Sequence, residues 1–200
     1  MAKAFKRKGG RFVAHLDEDE LGVVVGLLEQ TQAFLAPAHR EPTGDTFDDL
    51  VATLGLSQPD ESGAGADQVP RDPALERLLP TAHRDDPAMA EEFRRLTEHG
   101  LRERKTANLA TAIAALVARD TGRDGDKVRL DQEQAQAMVV ALTDVRLLLG
   151  ERLGLRTDED AEALQERLEA ASEDDPELYL AAYYDFMTWL QESLTQALLA

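Results

Sequence analysis

Three aspartate–proline pairs constrain the fold of this chain more than any other feature of its sequence. They are Asp72-Pro73, Asp86-Pro87 and Asp175-Pro176. Aspartate before proline is a strong helix-start signal, because the aspartate caps free backbone amides and proline at the first helical position loses no hydrogen bond. The second and third pairs are followed by helical patterns that extend to about Arg119 and Leu199. Long helices are therefore expected.

Capping residues and apolar faces predict further helices elsewhere in the chain. Asp17, with Glu20 three residues later, has the pattern of a capping box, and Pro37 ends the helix that follows. The other predicted helices cover about residues 47–54, 131–153 and 157–171. The fold is therefore predicted to be mainly α, a single-domain helical bundle over residues 1–200.

The first 16 residues are predicted to form a small β-hairpin. Phe5-Lys-Arg and the segment 11–16 flank Lys8-Gly9-Gly10, and paired glycines supply the positive φ that a tight hairpin turn needs. An isolated hairpin is marginal in water, so it needs a helical layer or a third strand. The segment 127–130 is a credible short strand that can supply that edge.

Composition limits the classes of function. The chain has 22 Lys and Arg against 39 Asp and Glu, a formal charge of −17, which argues against broad binding to nucleic acid or anionic lipid. The absence of cysteine excludes disulfides, thiolate zinc sites and a cysteine nucleophile. No apolar stretch follows the basic N-terminus and none is long enough to span a bilayer, so a cytoplasmic protein without a membrane segment is expected. Residues 57–71, rich in Gly, Pro and Ser, are predicted to form a flexible loop.

One acidic segment superficially resembles a calcium-binding loop. Residues 120–131 place acids at the first, fifth, seventh and twelfth positions and a glycine at the sixth. Gly122 at the third position removes a ligand, and Lys127 stands at the eighth, where the loop needs an apolar anchor. Asp131 at the twelfth is shorter than the usual glutamate. An acidic turn followed by the helix cap Asp131 is the favoured interpretation.

No other pattern indicates chemistry. None of the four histidines lies four residues from another, so a helical zinc site is not indicated. The acids at 17–20 that follow His15 are favoured at a helix start by the helix dipole alone. No phosphate loop, dinucleotide fingerprint or nucleophile elbow occurs. No catalytic residue, metal or cofactor is therefore predicted.

The basic N-terminus is the first candidate for a partner-binding surface. Five cations and no acid occur in the first eleven residues, and we single out Lys6, Arg7, Lys8 and Arg11. Such local polarity in an acidic chain suits an acidic partner, phosphate or nucleic acid. The competing interpretation is a solvated strand edge that lysines protect against aggregation.

The last helix supplies the second set of candidates. Tyr184 and Trp189 fall off its main apolar stripe, and together they would form a partner-binding patch if exposed. Arg146 falls close to the expected buried face of the 131–153 helix, where a guanidinium needs an acidic partner. We predict a structural ion pair between Arg146 and Asp185, with an acid of the 157–171 helix as the alternative partner.

Several segments together resemble a known family over nearly the whole chain. They begin with Phe5-Lys-Arg-Lys-Gly-Gly-Arg-Phe12 and continue through residues 79–86, 92–98, 142–153 and 184–190. The chain resembles an actinobacterial family described only as a domain of unknown function, whose genes often lie beside that of ClpS, the adaptor of the Clp protease. The resemblance implies a cytoplasmic protein associated with regulated proteolysis, and some relatives carry a transcription-regulator label.

Two main hypotheses of function follow. The first is a non-catalytic interaction or regulatory protein with a protein partner, linked through the resemblance to Clp-dependent proteolysis. The alternative is a transcription regulator that binds DNA through the basic hairpin. A third possibility, an enzyme or calcium-regulated protein, depends only on the imperfect loop at 120–131.

Overall fold

Helices make up most of the chain that the computed structural model describes, namely residues 2–36, 72–80, 86–118, 126–172 and 174–200. The elements in chain order are β1 Lys3–Lys8, β2 Arg11–His15, α1 Glu18–Leu35, α2 Pro73–Leu78, α3 Pro87–Val117, β3 Lys127–Leu130, α4 Gln132–Arg152, α5 Asp158–Ala170 and α6 Pro176–Leu199. The mainly α fold with a small N-terminal sheet is confirmed. The predicted helix 47–54, the predicted loop 57–71 and the first half of the calcium-like segment, residues 120–125, lie outside the described residues.

The helices begin where the sequence places their caps. Asp17 and Asp131 each accept a hydrogen bond from the amide three residues later in a complete capping box, at 3.0 Å and 2.9 Å respectively. Asp72 and Asp175 each accept from the amide two residues later, with proline at the first helical position. These contacts satisfy amides that a helix leaves without intrahelical partners, and they set the starting points of four helices.

The hairpin has the predicted turn. Gly9 and Gly10 adopt φ values of 56° and 77°, a region that residues with a side chain rarely enter. The sheet is antiparallel with the order β1-β2-β3, so the predicted strand at 127–130 pairs with β2. Its edge strand β1 is tied to the helices, because the Phe5 amide donates to Ser193 Oγ of α6 at 3.2 Å.

The helix α4 lies at the centre of the core and packs against α1, α2, α3 and α6. Its buried residues include Met138, Leu142 and Leu149. One face of the sheet covers this core with the side chains of Phe5, Phe12, Ala14, Val128 and Leu130, all buried. None of the helices that the structure describes combines the length and the apolar character required to traverse a bilayer.

A second, smaller apolar cluster lies beside the main core. It consists of Leu153 after α4, Leu164 of α5 and Ala181 of α6, with four partly buried neighbours. Leu164 is the one buried residue of α5. The attachment of α5 to the remainder of the fold therefore depends on few side chains.

Candidate functional site

The face of the sheet that points away from the core is basic. Side chains alternate between the two faces of a strand, and residues directly opposite each other on paired strands share a face. The register pairs Lys6 with Val13 and Val13 with Arg129, while the neighbouring pairs Phe12–Leu130 and Ala14–Val128 are buried. Lys6, Val13 and Arg129 therefore form one row on the outer face.

Two further rows continue this surface. Lys8 pairs with Arg11 near the turn, and His15 pairs with both Lys3 and Lys127 at the other end. We call the outer surface of the sheet the basic face and define it by six cations: Lys3, Lys6, Lys8, Arg11, Lys127 and Arg129. It gathers six of the 22 Lys and Arg of a chain whose formal charge is −17.

Two acids lie beside the basic face. Asp131, the cap of α4, is 3.9 Å from an Arg11 nitrogen, and both side chains are about half exposed. Asp126 precedes β3, and its carbonyl accepts the Leu16 amide at 2.8 Å. Exposed ion pairs contribute at most about 1 kcal/mol, so the contact with Asp131 leaves the Arg11 guanidinium accessible to another anion.

His15 reports the electrostatics of the basic face. Burial lowers the pKa of its imidazole, and the positive charges of Lys3, Lys127 and Lys8 lower it further. Asp126 has the opposite effect and is the smallest of these influences. The outer row that contains His15 therefore disfavours a further positive charge and favours an incoming negative one.

Three of the four predicted basic residues lie on this surface, and Arg7 does not. Arg7 pairs with Phe12, whose side chain is buried on the inner face, so Arg7 projects from the opposite side of the sheet near the turn. The sequence interpretation counted Lys3 among the N-terminal cations without singling it out, and it missed Lys127 and Arg129 as members of the surface. The alternation of Lys127 and Arg129 with the apolar Val128 and Leu130 is the signal that indicates them.

Arg146 has different partners from the predicted one. Its Nη1 donates to Gln191 Oε1 at 2.6 Å, its Nη2 to the Tyr184 hydroxyl at 3.4 Å, and the guanidinium lies 5.4 Å from the Tyr184 ring centroid. Asp185 is exposed, and no ion pair between it and Arg146 is found among the described residues. Asp185 is one residue further along α6, about 100° around the helix from Tyr184, which directs its carboxylate away from α4.

Tyr184 and Trp189 do not form one surface patch. Five residues along a helix correspond to about 140° of rotation, so the two side chains leave α6 in different directions. Tyr184 is half-buried beneath Arg146, whereas Trp189 is 36% exposed and stacks on Phe186 with ring centroids 5.9 Å apart. The partner-binding patch predicted from these two aromatics is therefore not assembled as a shared surface.

The structure adds one buried charged pair that sequence reasoning did not identify. Lys105 of α3 donates to Asp144 Oδ1 of α4, and the Asp144 side chain has no solvent exposure. Burial raises the pKa of Asp144, and Lys105 opposes that effect. Both residues lie at helical spacing within apolar stripes, and Lys105 is four residues from Leu101 and from Leu109. A charged residue within an apolar stripe is the sequence pattern that indicates such a pair.

No metal centre occurs in the part of the chain that the structure describes, since no three His, Asp or Glu side chains are placed to hold an ion. The acids near His15 are engaged in capping: Asp17 and Glu20 form the capping box of α1. The Glu20 amide lowers the pKa of Asp17 by hydrogen bonding to its carboxylate. This arrangement agrees with the helix-start interpretation of that segment.

Comparison with known proteins gives one match. The family described as "Domain of unknown function (DUF2017)" matches residues 2–198, almost the entire chain. No curated protein and no solved structure matches the sequence.

Proposed function

We propose that this chain, which belongs to the DUF2017 family, is a non-catalytic interaction protein that binds an acidic protein partner through its basic face. The observation that carries the proposal is the placement of six cations on one side of a three-stranded sheet. Protection of a strand edge requires charge only at the edge. Here the cations of both edge strands, Lys6 of β1 and Arg129 of β3, lie in one row with Val13 of the central strand β2, so the charge covers a face of the sheet and not one edge alone.

The dimensions of the basic face favour a small structural element as the ligand. Strands lie about 4.8 Å apart and alternate residues about 6.8 Å apart along a strand, so the face measures roughly 10 by 14 Å. An α-helix with its side chains is about 10 to 12 Å wide. An acidic helix or a short acidic strand of a partner protein matches this area.

The remainder of the chain disfavours a long polyanion. Its acidic helices repel an extended nucleic acid, whereas a compact acidic segment can contact the sheet alone. The family resemblance adds a cellular setting to the proposal, namely the cytoplasm of an actinobacterium and Clp-dependent proteolysis. The alternative, a transcription regulator that binds DNA phosphates through the hairpin, draws on the same cations and is an outcome of the test below.

Affinity capture with matched variants tests the proposal. Lys6→Gln with Lys8→Gln removes two charges from the basic face, and Arg95→Gln with Arg104→Gln removes two exposed charges from α3. We expect the wild type and the α3 variant to recover the same acidic protein from lysate and the basic-face variant to lose it. The family resemblance predicts that this protein is a Clp component. Equal recovery by both variants contradicts the proposal, and recovery of DNA alone replaces it with the alternative.

A further inference from the structure

An open cleft separates α5 from the start of α6 and the end of α4. It has a volume of about 490 Å³ and is lined mainly by apolar side chains, chiefly those of Leu153, Leu155, Leu164, Leu168, Ala181 and Tyr184. A cavity of about 150 Å³ accommodates benzene, so this cleft has room for two or three large apolar side chains. We call it the α5–α6 cleft.

The packing of α5 explains why the cleft exists. Leu164 is the one buried residue of this helix, and Leu168 is partly buried beside it. Small residues face the same space, because Ala161 and Ala181 line the cleft where larger side chains would fill it. Leu153, Leu164 and Ala181 are buried, whereas Leu155, Leu168 and Tyr184 are only partly buried and present apolar surface to the cleft from both sides, as in a small binding groove.

The rim of the α5–α6 cleft is acidic. Glu169 and Asp185 line it from opposite helices, together with Gln165, and no cation is among its lining residues within the described chain. The helix α5 carries six acids and one cation, Arg167. Arg167 is engaged, since it forms an ion pair with Glu177 at 2.8 Å and donates to the Leu153 carbonyl at 3.3 Å.

We propose that the α5–α6 cleft is a second binding site, which takes a cationic amphipathic peptide segment of a partner protein. Apolar side chains of that segment pack between Leu168 and Tyr184, and flanking Lys or Arg side chains pair with Glu169 and Asp185. Charge complementarity selects this occupant, because the acidic rim repels an anionic lipid headgroup or an acidic peptide of equal hydrophobicity. Laying an amphipathic helix into an apolar groove is a common mode of peptide recognition.

This site is separate from the basic face and goes beyond the function proposed above. Asp185 lies eight residues before Ser193 in α6, so the two residues are about 12 Å apart along the helix axis. Ser193 is the residue that anchors β1. The two surfaces also have opposite charge. A variant of one surface therefore leaves the other intact, and the two proposals fail independently.

Fluorescence anisotropy with two labelled 15-residue peptides tests the site. One peptide places Leu and Lys in an amphipathic helical pattern, and the other has Glu in place of every Lys. We expect the Leu/Lys peptide to bind the wild-type protein and the Leu/Glu peptide to bind at least tenfold more weakly. Equal binding of both peptides contradicts the proposed occupant.

Matched charge variants locate the binding. Glu169→Lys with Asp185→Lys reverses two charges of the rim, and Glu159→Lys with Glu166→Lys reverses two exposed charges of α5 that do not line the cleft. We expect the rim variant to weaken Leu/Lys peptide binding at least tenfold at 0.15 M salt and the control variant to change it less than threefold. An equal loss of peptide binding in both variants would show that binding depends on the overall acidity of α5 and not on the rim of the cleft, which overturns the proposal.

A variant that fills the α5–α6 cleft tests separately whether its apolar surface binds the peptide. Ala161→Trp places an indole in the cleft from an exposed position of α5, where it need not disturb the core. We expect this variant to lose the peptide while its circular dichroism and thermal unfolding match the wild type, and Lys6→Gln with Lys8→Gln to retain it. Unchanged binding by Ala161→Trp overturns the proposal. If the wild-type protein is a dimer and Ala161→Trp makes it a monomer, the occupant of the cleft is a second copy of this chain and not a peptide of another protein.

Discussion

Lys105 of α3 and Asp144 of α4 form an ion pair in which the Asp144 side chain has no solvent exposure and that of Lys105 has 14%. The second carboxylate oxygen, Oδ2, has no hydrogen-bond partner among the residues that the structure describes. A buried carboxylate in this state is costly unless a cation lies beside it. Lys105 therefore compensates a buried charge where α3 packs against the central helix α4.

Removal of Lys105 is expected to destabilise the protein strongly. Lys105→Met leaves the Asp144 charge buried without compensation, which costs roughly 3–5 kcal/mol of unfolding free energy. The double variant Lys105→Met with Asp144→Leu replaces the pair by apolar groups and is expected to recover most of that loss. Urea unfolding at pH 7 measures all three proteins. A double variant as unstable as Lys105→Met would show that the buried charge is not the cause.

The same carboxylate makes stability depend on pH. Burial raises the pKa of folded Asp144 above its ordinary value of 3.8, so the folded state holds the proton more tightly than the unfolded state. Its stabilising contribution is complete below that ordinary value and is lost as the pH rises through the folded pKa. The unfolding free energy of the wild type minus that of Asp144→Asn should therefore fall as the pH increases from about 4. A difference that increases with pH would indicate a lowered pKa instead.

Arg146 is expected to depend on Gln191 and not on Asp185. Gln191 accepts from Arg146 at 2.6 Å and donates to Thr143 Oγ1 at 2.6 Å, so it connects α4 to α6. Gln191→Leu should cost about 1–3 kcal/mol, because it leaves a partly buried guanidinium donor unsatisfied. Asp185→Asn should change stability by less than about 0.5 kcal/mol.

Double-mutant cycles with Arg146→Met separate these two partners. The coupling energy with Gln191→Leu should exceed that with Asp185→Asn. A larger coupling energy with Asp185→Asn than with Gln191→Leu would support the Arg146–Asp185 ion pair that the sequence predicts.

The imidazole of His15 provides a direct probe of the basic face. Because the charge of Lys3 lowers the pKa of His15, Lys3→Gln should raise that pKa. Arg95→Gln, which removes an exposed charge on α3, should leave it unchanged. A proton NMR titration of the imidazole measures both variants. An unchanged His15 pKa in Lys3→Gln would mean that the charge of Lys3 does not act on the imidazole.

The parts of the fold that local chemistry controls were predictable from the sequence. Asp17 and Asp131 cap helices whatever their tertiary surroundings, and Gly9-Gly10 reverses the chain because both residues tolerate positive φ. Strand 127–130 was recognisable from its alternation of polar and apolar residues. In each case, the physical cause lies within a few residues of the feature.

The candidate surfaces required information that no short segment carries. The register of the three strands places Arg129 beside Lys6 on the basic face. The same register places Arg7, the residue next to Lys6 in the sequence, on the other side of the sheet. The partner of Arg146 depends on the rotation of α6 against α4, which places Gln191 and Tyr184 where Asp185 was expected. The α5–α6 cleft is a space between elements, and its volume is decided by how far apart the helices pack.

Site-specific photo-crosslinking from the centre of the basic face tests the central claim most directly. A photoreactive amino acid at Val13 lies between Lys6 and Arg129 and removes no charge, while the same residue at Glu166 of α5 is the control. We expect Val13 to crosslink an acidic protein in cells, Glu166 not to crosslink it, and Lys6→Gln with Lys8→Gln to abolish the product. A product that is absent at Val13, or that persists in the basic-face variant, would contradict the account.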